Sequence, residues 1–472
     1  MEFSTITFII FMIQQFIVEN FLSFKDRVTF NLQPGRGAKL KNHKIEPVKG
    51  AKVLKTAAIF GANAGGKSNF IKALDLGKRL VLNGTRTEEL IDFNPFRLTS
   101  ESKSQDTTII YQILCNNKKY EYGFSYNADK ITSEWLNNIT RKTSYCIFKR
   151  SNDNSIEMPL LLKKNTKENE KQFLQFFAKA TPINQLFLHE VYSRNIRNNV
   201  SNISDLEAVI SWFSDSLKII FPETPYKQGV WLKAAGDNGL RDVFKKLLKY
   251  FGTGIDDIYL EEVEFDKLGI SQDLQRMIKS DMAKSSNKEI FGALKLNDNL
   301  YLIRVCNGDI NAKKFMTIHH QIGSDKKEYF SLEEESDGTK RLFDYIPLII
   351  DFIYGNKVFA IDEIERSLHP TLIRKILDLF YAYSDHTPCQ LIFTTHESSL
   401  MTQKLLRSDE IWLLEKTKDG CSSMNTIDKS FNPRFDKKLN QAYLDGEYGA
   451  IPDLASDQNF QNFLMDMKKK GL

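Results

Sequence analysis

A chain of 472 residues, 42% hydrophobic and 26% charged, has the composition of an ordinary soluble protein with material for roughly two or three domains. Its net charge of +5 excludes strong long-range steering of polyanions and leaves nucleic-acid contact to local patches. The five cysteines (Cys115, Cys146, Cys306, Cys389, Cys421) stand singly without C-x-x-C spacing, which excludes a disulfide framework or zinc site and suits a reducing cytoplasm.

At the amino end, Phe8–Ile13 is apolar but far short of the about 20 residues that span a bilayer. Glu2 stands where a secretory signal would carry basic residues. The run reads as an edge strand or as a leader upstream of Met12. No other segment reaches transmembrane length, so a cytoplasmic protein without a membrane anchor is expected. Strand-like pieces follow at Phe16–Val18, Phe21–Phe24 and Val28–Leu32, with Asn20 and Lys25-Asp26 at turns.

Next comes Gly61-Ala-Asn63-Ala-Gly65-Gly66-Lys67-Ser68, the pattern G-x-x-x-x-G-K-S. The apolar run Ala57–Phe60 precedes it as a strand and Asn69–Leu74 opens a helix, which is the context the motif requires. Its glycines let backbone N–H groups converge on a phosphate, and the helix N-terminus adds partial positive charge. Lys67 is expected to reach the β- and γ-phosphates of ATP and the Ser68 hydroxyl to ligate Mg²⁺.

β-rich sequence continues at Thr107–Leu114, Tyr120–Tyr126 and Ile131–Trp135. From Lys163 to Tyr250 the period turns helical, with Phe173, Phe176 and Phe177, then Val209, Trp212 and Phe213, then Val243, Leu247 and Leu248 forming core stripes. No heptad pattern long enough for a coiled-coil arm appears. Strands return at Ile258–Leu260 and Leu300–Val305. In Leu332–Leu342 the run Ser336-Asp-Gly338 opens a helix over Thr339–Tyr354, which Pro347 should kink or break.

Lys357-Val-Phe-Ala-Ile-Asp362-Glu363 is an apolar strand ending in two carboxylates. Asp362 is placed to hold Mg²⁺, and Glu363 to act as general base on an attacking water. Ser367–Pro370 leads into a helix over Leu372–Phe380, and Leu391–Thr395 is a further strand capped by His396. Strand, helix and strand make one βαβ unit of a doubly wound sheet.

Together these pieces resemble the ATP-binding-cassette head of the SMC, Rad-type and OLD group of ATPases. The resemblance implies an α/β fold: a P-loop ABC-type head with a mixed, largely parallel central sheet, an antiparallel β subdomain and a helical insertion. It divides the chain into 1–150 and 315–472 as the two parts of the head, with 151–314 as the insertion. It implies that Gly61, Asn63, Gly65, Gly66, Lys67, Ser68 and Asn69 bind ATP, and that Ser336 and Gly338 serve as the signature closing over ATP held by a second copy. Ser68 and Asp362 become the Mg²⁺ ligands, Glu363 and His396 the catalytic base and switch histidine, and Ser367–Pro370 a loop crossing the dimer interface. The departure from leucine-serine-glycine-glycine sets the chain apart from transporter ATPases. More narrowly, Phe16–Asp26, Ile411–Lys416 and Tyr443–Pro452 resemble abortive-infection anti-phage ATPases of the AbiL and PARIS type. That resemblance implies a homo-oligomer of head-to-head dimers, a separate TOPRIM-type nuclease partner and a phage-encoded trigger protein.

A DNA-clamping repair or maintenance ATPase is the alternative, with Lys245, Lys246 and Lys249 as the nearest candidates for DNA contact. A scaffold that binds ATP without turnover fits less well, because Glu363 and His396 are both present. Asn94-Pro-Phe96 is a candidate for the glutamine-loop position.

Overall fold

The computed structural model describes residues 10–470 apart from 38, 87, 164–165, 228, 274, 278–289, 297–298, 307–308, 385–387, 432, 435–436 and 453–456. The fold is α/β, with mixed parallel and antiparallel sheets in two compact units. One unit comprises Met1–Ile219, Asn356–Ile364 and Pro388–Leu472, and the other Ile220–Gly355 and Glu365–Thr387.

The first unit is built on two sheets. Its six-stranded sheet runs in the order Leu217–Ile220, Lys357–Ile361, Cys389–Thr394, Thr56–Phe60, Ile411–Lys416, Ser422–Thr426. The pairings among Lys357–Ile361, Cys389–Thr394, Thr56–Phe60 and Ile411–Lys416 are parallel, and that of Ile411–Lys416 with Ser422–Thr426 is antiparallel. Every residue of Thr56–Phe60 and of Cys389–Thr394 is buried, as expected of strands covered on both faces. The seven-stranded sheet is antiparallel throughout, in the order Ile156–Glu157, Ser144–Arg150, Ile131–Ile139, Lys118–Tyr126, Thr107–Cys115, Phe11–Glu19, Val28–Asn31.

Two polar side chains tie these sheets together. The fully buried Gln390 amide accepts from Ile13 N (2.8 Å) and donates to Ile13 O (3.0 Å) and Leu54 O (2.8 Å). Asn356 Oδ1 accepts from Phe11 N at 3.0 Å.

The second unit packs the helices Val230–Gly236, Asn238–Tyr250, Asp337–Tyr354 and Pro370–Ser384 with the antiparallel strands Asp257–Val263, Asp309–His320, Asn299–Cys306 and Ile290–Leu296. Lys327–Ser331 adds a short strand on Asp309–His320. Phe343 sits at the centre of this core, stacked on Trp231 at 5.4 Å and edge-on to Phe315 at 5.3 Å.

Several sequence expectations change on folding. The compact units change over at 219/220, 355/356, 364/365 and 387/388. The helices within 168–216 belong to the first unit because its antiparallel sheet recruits them. Buried Glu134 accepts from Phe187 N (2.6 Å) and Leu188 N (3.1 Å), and Arg150 donates to Gln185 O and Pro182 O. Phe11–Glu19 is not an edge strand, since Val28–Asn31 lies outside it; residues 1–9 of the expected leader lie outside the described residues. Phe21–Phe24 is a tight turn, with Asn20 and Leu22 at φ 50°, pinned by Leu22 N donating to Asn94 O. The helix Asp337–Tyr354 runs unbroken past Pro347, its apolar face held in the core. In the aromatic stripes Phe176 is 72% exposed, whereas Trp212 and Phe213 are wholly buried. Among the described residues, no helix is long and apolar enough to cross a membrane.

Replacing Gln390 by Leu leaves Ile13 N, Ile13 O and Leu54 O without these bonds. At about 1–3 kcal/mol for an unsatisfied buried group, and with partial relaxation, a loss of about 2–5 kcal/mol is expected in urea denaturation.

Candidate functional site

Three parallel strands of the first unit end on the same edge of the sheet, so the segments following Phe60, Ile361 and Thr394 emerge side by side. The phosphate loop leaves the first of these. Gly61 cannot be replaced without displacement, because a Cβ there would run into the carbonyl oxygen of Leu414. Gly66, at φ 111°, occupies left-handed space, and its Cβ would collide with the hydroxyls of Ser422 and Ser23. The helix begins at Lys67, two residues before the expected start, and extends to Leu82.

The loop is held from outside by residues that the motif does not announce. Ser422 Oγ donates to Gly65 O (2.6 Å), Ser422 N donates to Ser23 O (2.7 Å), and Asn69 Nδ2 donates to Ser23 Oγ (2.9 Å). Ser23 belongs to the Phe21–Phe24 turn, so this turn, read from sequence as a strand, instead buttresses the phosphate loop. Asn94 O anchors the same turn, and Asn94 itself engages Asp92.

Lys67 is 5% exposed, and its ammonium donates to Gly61 O (2.7 Å) and Ala62 O (3.0 Å). His396 Nδ1 lies 3.5 Å from the same nitrogen, which brings two separately predicted residues together. On the neighbouring strand, Asp362 is 3% exposed and its Oδ1 accepts from Thr394 Oγ1 at 2.6 Å. That hydroxyl in turn accepts from Glu363 N at 2.8 Å. Glu363 adopts φ 50°, a left-handed conformation rare for a residue with a side chain. Thr394 is therefore a positioning residue for both carboxylates; its only sequence signal was its place in the Thr394-Thr395-His396 run. Ser68 and Asp362 offer hard oxygen donors, and Mg²⁺ takes one or two protein ligands and keeps several waters, so the donor set fits that ion. Among the described residues, no group of three or more His, Cys, Asp or Glu side chains forms a conventional metal cluster.

Ser336 and Gly338 lie in the second unit, at the start of the helix Asp337–Tyr354. Ser336 Oγ caps the helix by accepting from Thr339 N at 3.1 Å and shares a further hydrogen bond with Thr339 Oγ1 at 2.9 Å. A Cβ on Gly338 would come within 2.9 Å of Ser367 O, so the Ser367–Pro370 loop closes directly over the glycine. Glu335, just before Ser336, is clasped by Thr317 Oγ1 (2.5 Å) and His319 Nε2 (2.8 Å).

One turn into that helix, Arg341 is 6% exposed and its Nη1 lies 3.6 Å from Asp344 Oδ2. Its Nε and Nη2 have no hydrogen-bond partner among the described residues. Burial raises the Asp344 carboxyl to about 6, with Arg341 opposing the shift. Lys245, a candidate for DNA contact, instead pairs with Asp257 at 3.3 Å, beside Arg241 at 2.7 Å.

A family model described as "AAA domain, putative AbiEii toxin, Type IV TA system" matches residues 57–402, which carry the phosphate loop, the Asp362-Glu363 strand and His396. Similar solved structures include the SMC head domain from Thermotoga maritima, at 11% identity and TM-score 0.36, covering 88% of this chain and 98% of that one. An Smc head domain with an extended coiled coil from Pyrococcus furiosus, bound to the C-terminal domain of ScpA, gives 12% identity and TM-score 0.35, covering 89% and 98%. An Smc head domain with a coiled coil and joint from Pyrococcus yayanosii gives 13% identity and TM-score 0.35, covering 93% and 99%. Overlays this loose carry no argument about partners or activity. No curated protein matches the chain.

Because the folded Asp344 carboxyl titrates above its ordinary value of 3.8, the folded state favours its protonated form. Its contribution is fully present below about pH 4 and lost as pH rises through about 6, a decline of about 1–3 kcal/mol. Asp344→Asn should therefore flatten the stability profile between pH 4 and 7 in denaturant titrations, and an unchanged slope would refute the assignment.

Proposed function

We propose, from the premise that this chain belongs to the AAA_21 family of AAA domains, that it binds and hydrolyses ATP as a nucleotide-driven homodimer switch. The observation that carries this reading is the convergence at one sheet edge of Lys67, His396 and the Thr394-held pair Asp362 and Glu363.

In this mechanism, backbone N–H groups from Gly61 to Asn69, including Asn63 and Gly65, surround the phosphates, and Lys67 turns from the Gly61 and Ala62 carbonyls to the β- and γ-oxygens. Ser68 and Asp362 would hold Mg²⁺, which would supply charge neutralisation at the triphosphate. Glu363 removes a proton from water, whose oxygen attacks the γ-phosphorus; the bond to the β-phosphate oxygen breaks, releasing ADP and phosphate. His396, beside Lys67, couples the γ-phosphate to the strand Cys389–Thr394. Ser336 and Gly338 of a second copy close over the triphosphate, the hydroxyl and helix N-terminus both favouring an anion. ATP joins the heads and hydrolysis releases them.

The wider role we infer is anti-phage defence in the cytoplasm, with the switch holding or releasing a separate TOPRIM-type nuclease upon a phage-encoded trigger. The family description and the abortive-infection resemblance support it. The DNA-clamping alternative is disfavoured at its nearest candidate, since Asp257 neutralises part of the Lys245 cluster.

Lys67→Ala should abolish ATP binding in equilibrium dialysis, and retained affinity would remove the phosphate-loop assignment. Glu363→Gln should slow phosphate release by about 10²–10⁴ while ATP-bound dimers accumulate in size-exclusion chromatography; unchanged turnover would point to another base.

A further inference from the structure

A second site is built into the antiparallel sheet of the first unit, independently of the nucleotide reading. The strand Phe11–Glu19 carries a register shift against Thr107–Cys115: Ile13 pairs with Ile113 and Gln15 with Gln112, leaving Gln14 as the extra residue of a β-bulge. Gln14 is 2% exposed, and its Oε1 has no hydrogen-bond donor among the described residues. It lines a cavity of about 690 Å³, which falls within the range of small-molecule sites.

The rest of the lining has one chemical character. Lys49, Lys118, Lys119 and Arg141 supply cations, Asn117 and Asn138 supply amides, and among the described residues no carboxylate lines the space. Lys118 is held by Asp205 at 2.6 Å. Among the described residues, Lys49, Lys119 and Arg141 have no ion pair of their own. Partial burial lowers the Lys119 pKa, with the nearby Glu121 opposing the shift, and an arriving anion would further stabilise its charged form. Arg141 lies across Gly50, at φ 82° in the turn between Lys44–Val48 and Ala51–Leu54, where any side chain would displace the guanidinium.

A lining in which cations outnumber carboxylates selects an anion, and amides beside them select hydroxyl groups. No aromatic ring lines the cavity, so it lacks the stacking platform of a single-stranded nucleic-acid groove. We propose that this cavity binds the phosphate ester of a sugar, free or within a mononucleotide, with Lys119 and Arg141 on the phosphate and the amides on the hydroxyls. Occupancy has a short route to the nucleotide site: Ile13, next to Gln14, exchanges two hydrogen bonds with Gln390, which lies on the strand leading to Thr394 and His396.

The test is isothermal titration of the full chain with ribose 5-phosphate, with AMP and with a duplex oligonucleotide, each repeated on the double variant Lys119→Ala/Arg141→Ala. A sugar-phosphate site gives binding to ribose 5-phosphate that weakens by about tenfold or more in the double variant, while basal ATP turnover and thermal melting stay unchanged. Weakening of AMP alone identifies the nucleotide as the source, and weakening of both identifies the shared sugar phosphate. Absence of binding to both small ligands, binding indifferent to the double variant, or duplex binding that neither competes away overturns the proposal. Because both positions lie outside the phosphate loop, failure here leaves the Lys67 and Glu363 experiments unaffected. Arg141→Lys, which keeps the charge but loses the planar fork, should recover part of the affinity.

Discussion

The arrangement of the nucleotide edge depends on one hydroxyl. Thr394 Oγ1 donates to Asp362 and accepts from the backbone of Glu363, so its donor and one acceptor position are committed at once. Such a group reaches both residues only if its strand lies directly beside theirs. The parallel register of Lys357–Ile361 against Cys389–Thr394 supplies that placement, and the register of Cys389–Thr394 against Thr56–Phe60 brings the phosphate loop to the same edge. Strand order thus becomes chemistry through a single side chain.

The loop motif, the acidic strand and the histidine were legible in sequence because each is local. A few residues in a strand–loop–helix or strand–end context carry their own geometry. The supports of those residues were not legible. Ser23 and Ser422 reach Gly65 and Asn69 from opposite ends of the chain, and nothing near either serine in sequence announces it. The Phe21–Phe24 turn was read as a strand because its aromatic spacing imitates one, whereas Asn20 and Leu22 take left-handed conformations that only tertiary contacts stabilise. The extent of the compact units depends likewise on contacts remote in sequence. Periodicity identified helices within 168–216, but the buried Glu134 carboxylate that takes two of their amide donors is remote in sequence.

Buried polar groups perform much of the specification here. Gln390 and Asn356 join the two sheets of the first unit by hydrogen bonds to strand backbone. His43 and Glu410 form a buried pair at 2.8 Å, whose carboxyl burial pushes upward and the histidine pulls back. Apolar packing alone would tolerate a strand slipped by two residues, whereas an amide that must meet both the N–H and the C=O of Ile13 does not. The same logic applies in the second unit, where Thr317 and His319 grip Glu335 and so set where the helix bearing Ser336 begins.

The left-handed backbone of Glu363 has a consequence for stability. A side chain in that conformation costs about 1 kcal/mol relative to glycine, and asparagine tolerates it better than glutamate. Glycine or asparagine there would be less strained but would lack the carboxylate. Stability and the presence of an acid at the end of this strand therefore pull in opposite directions at a single backbone position.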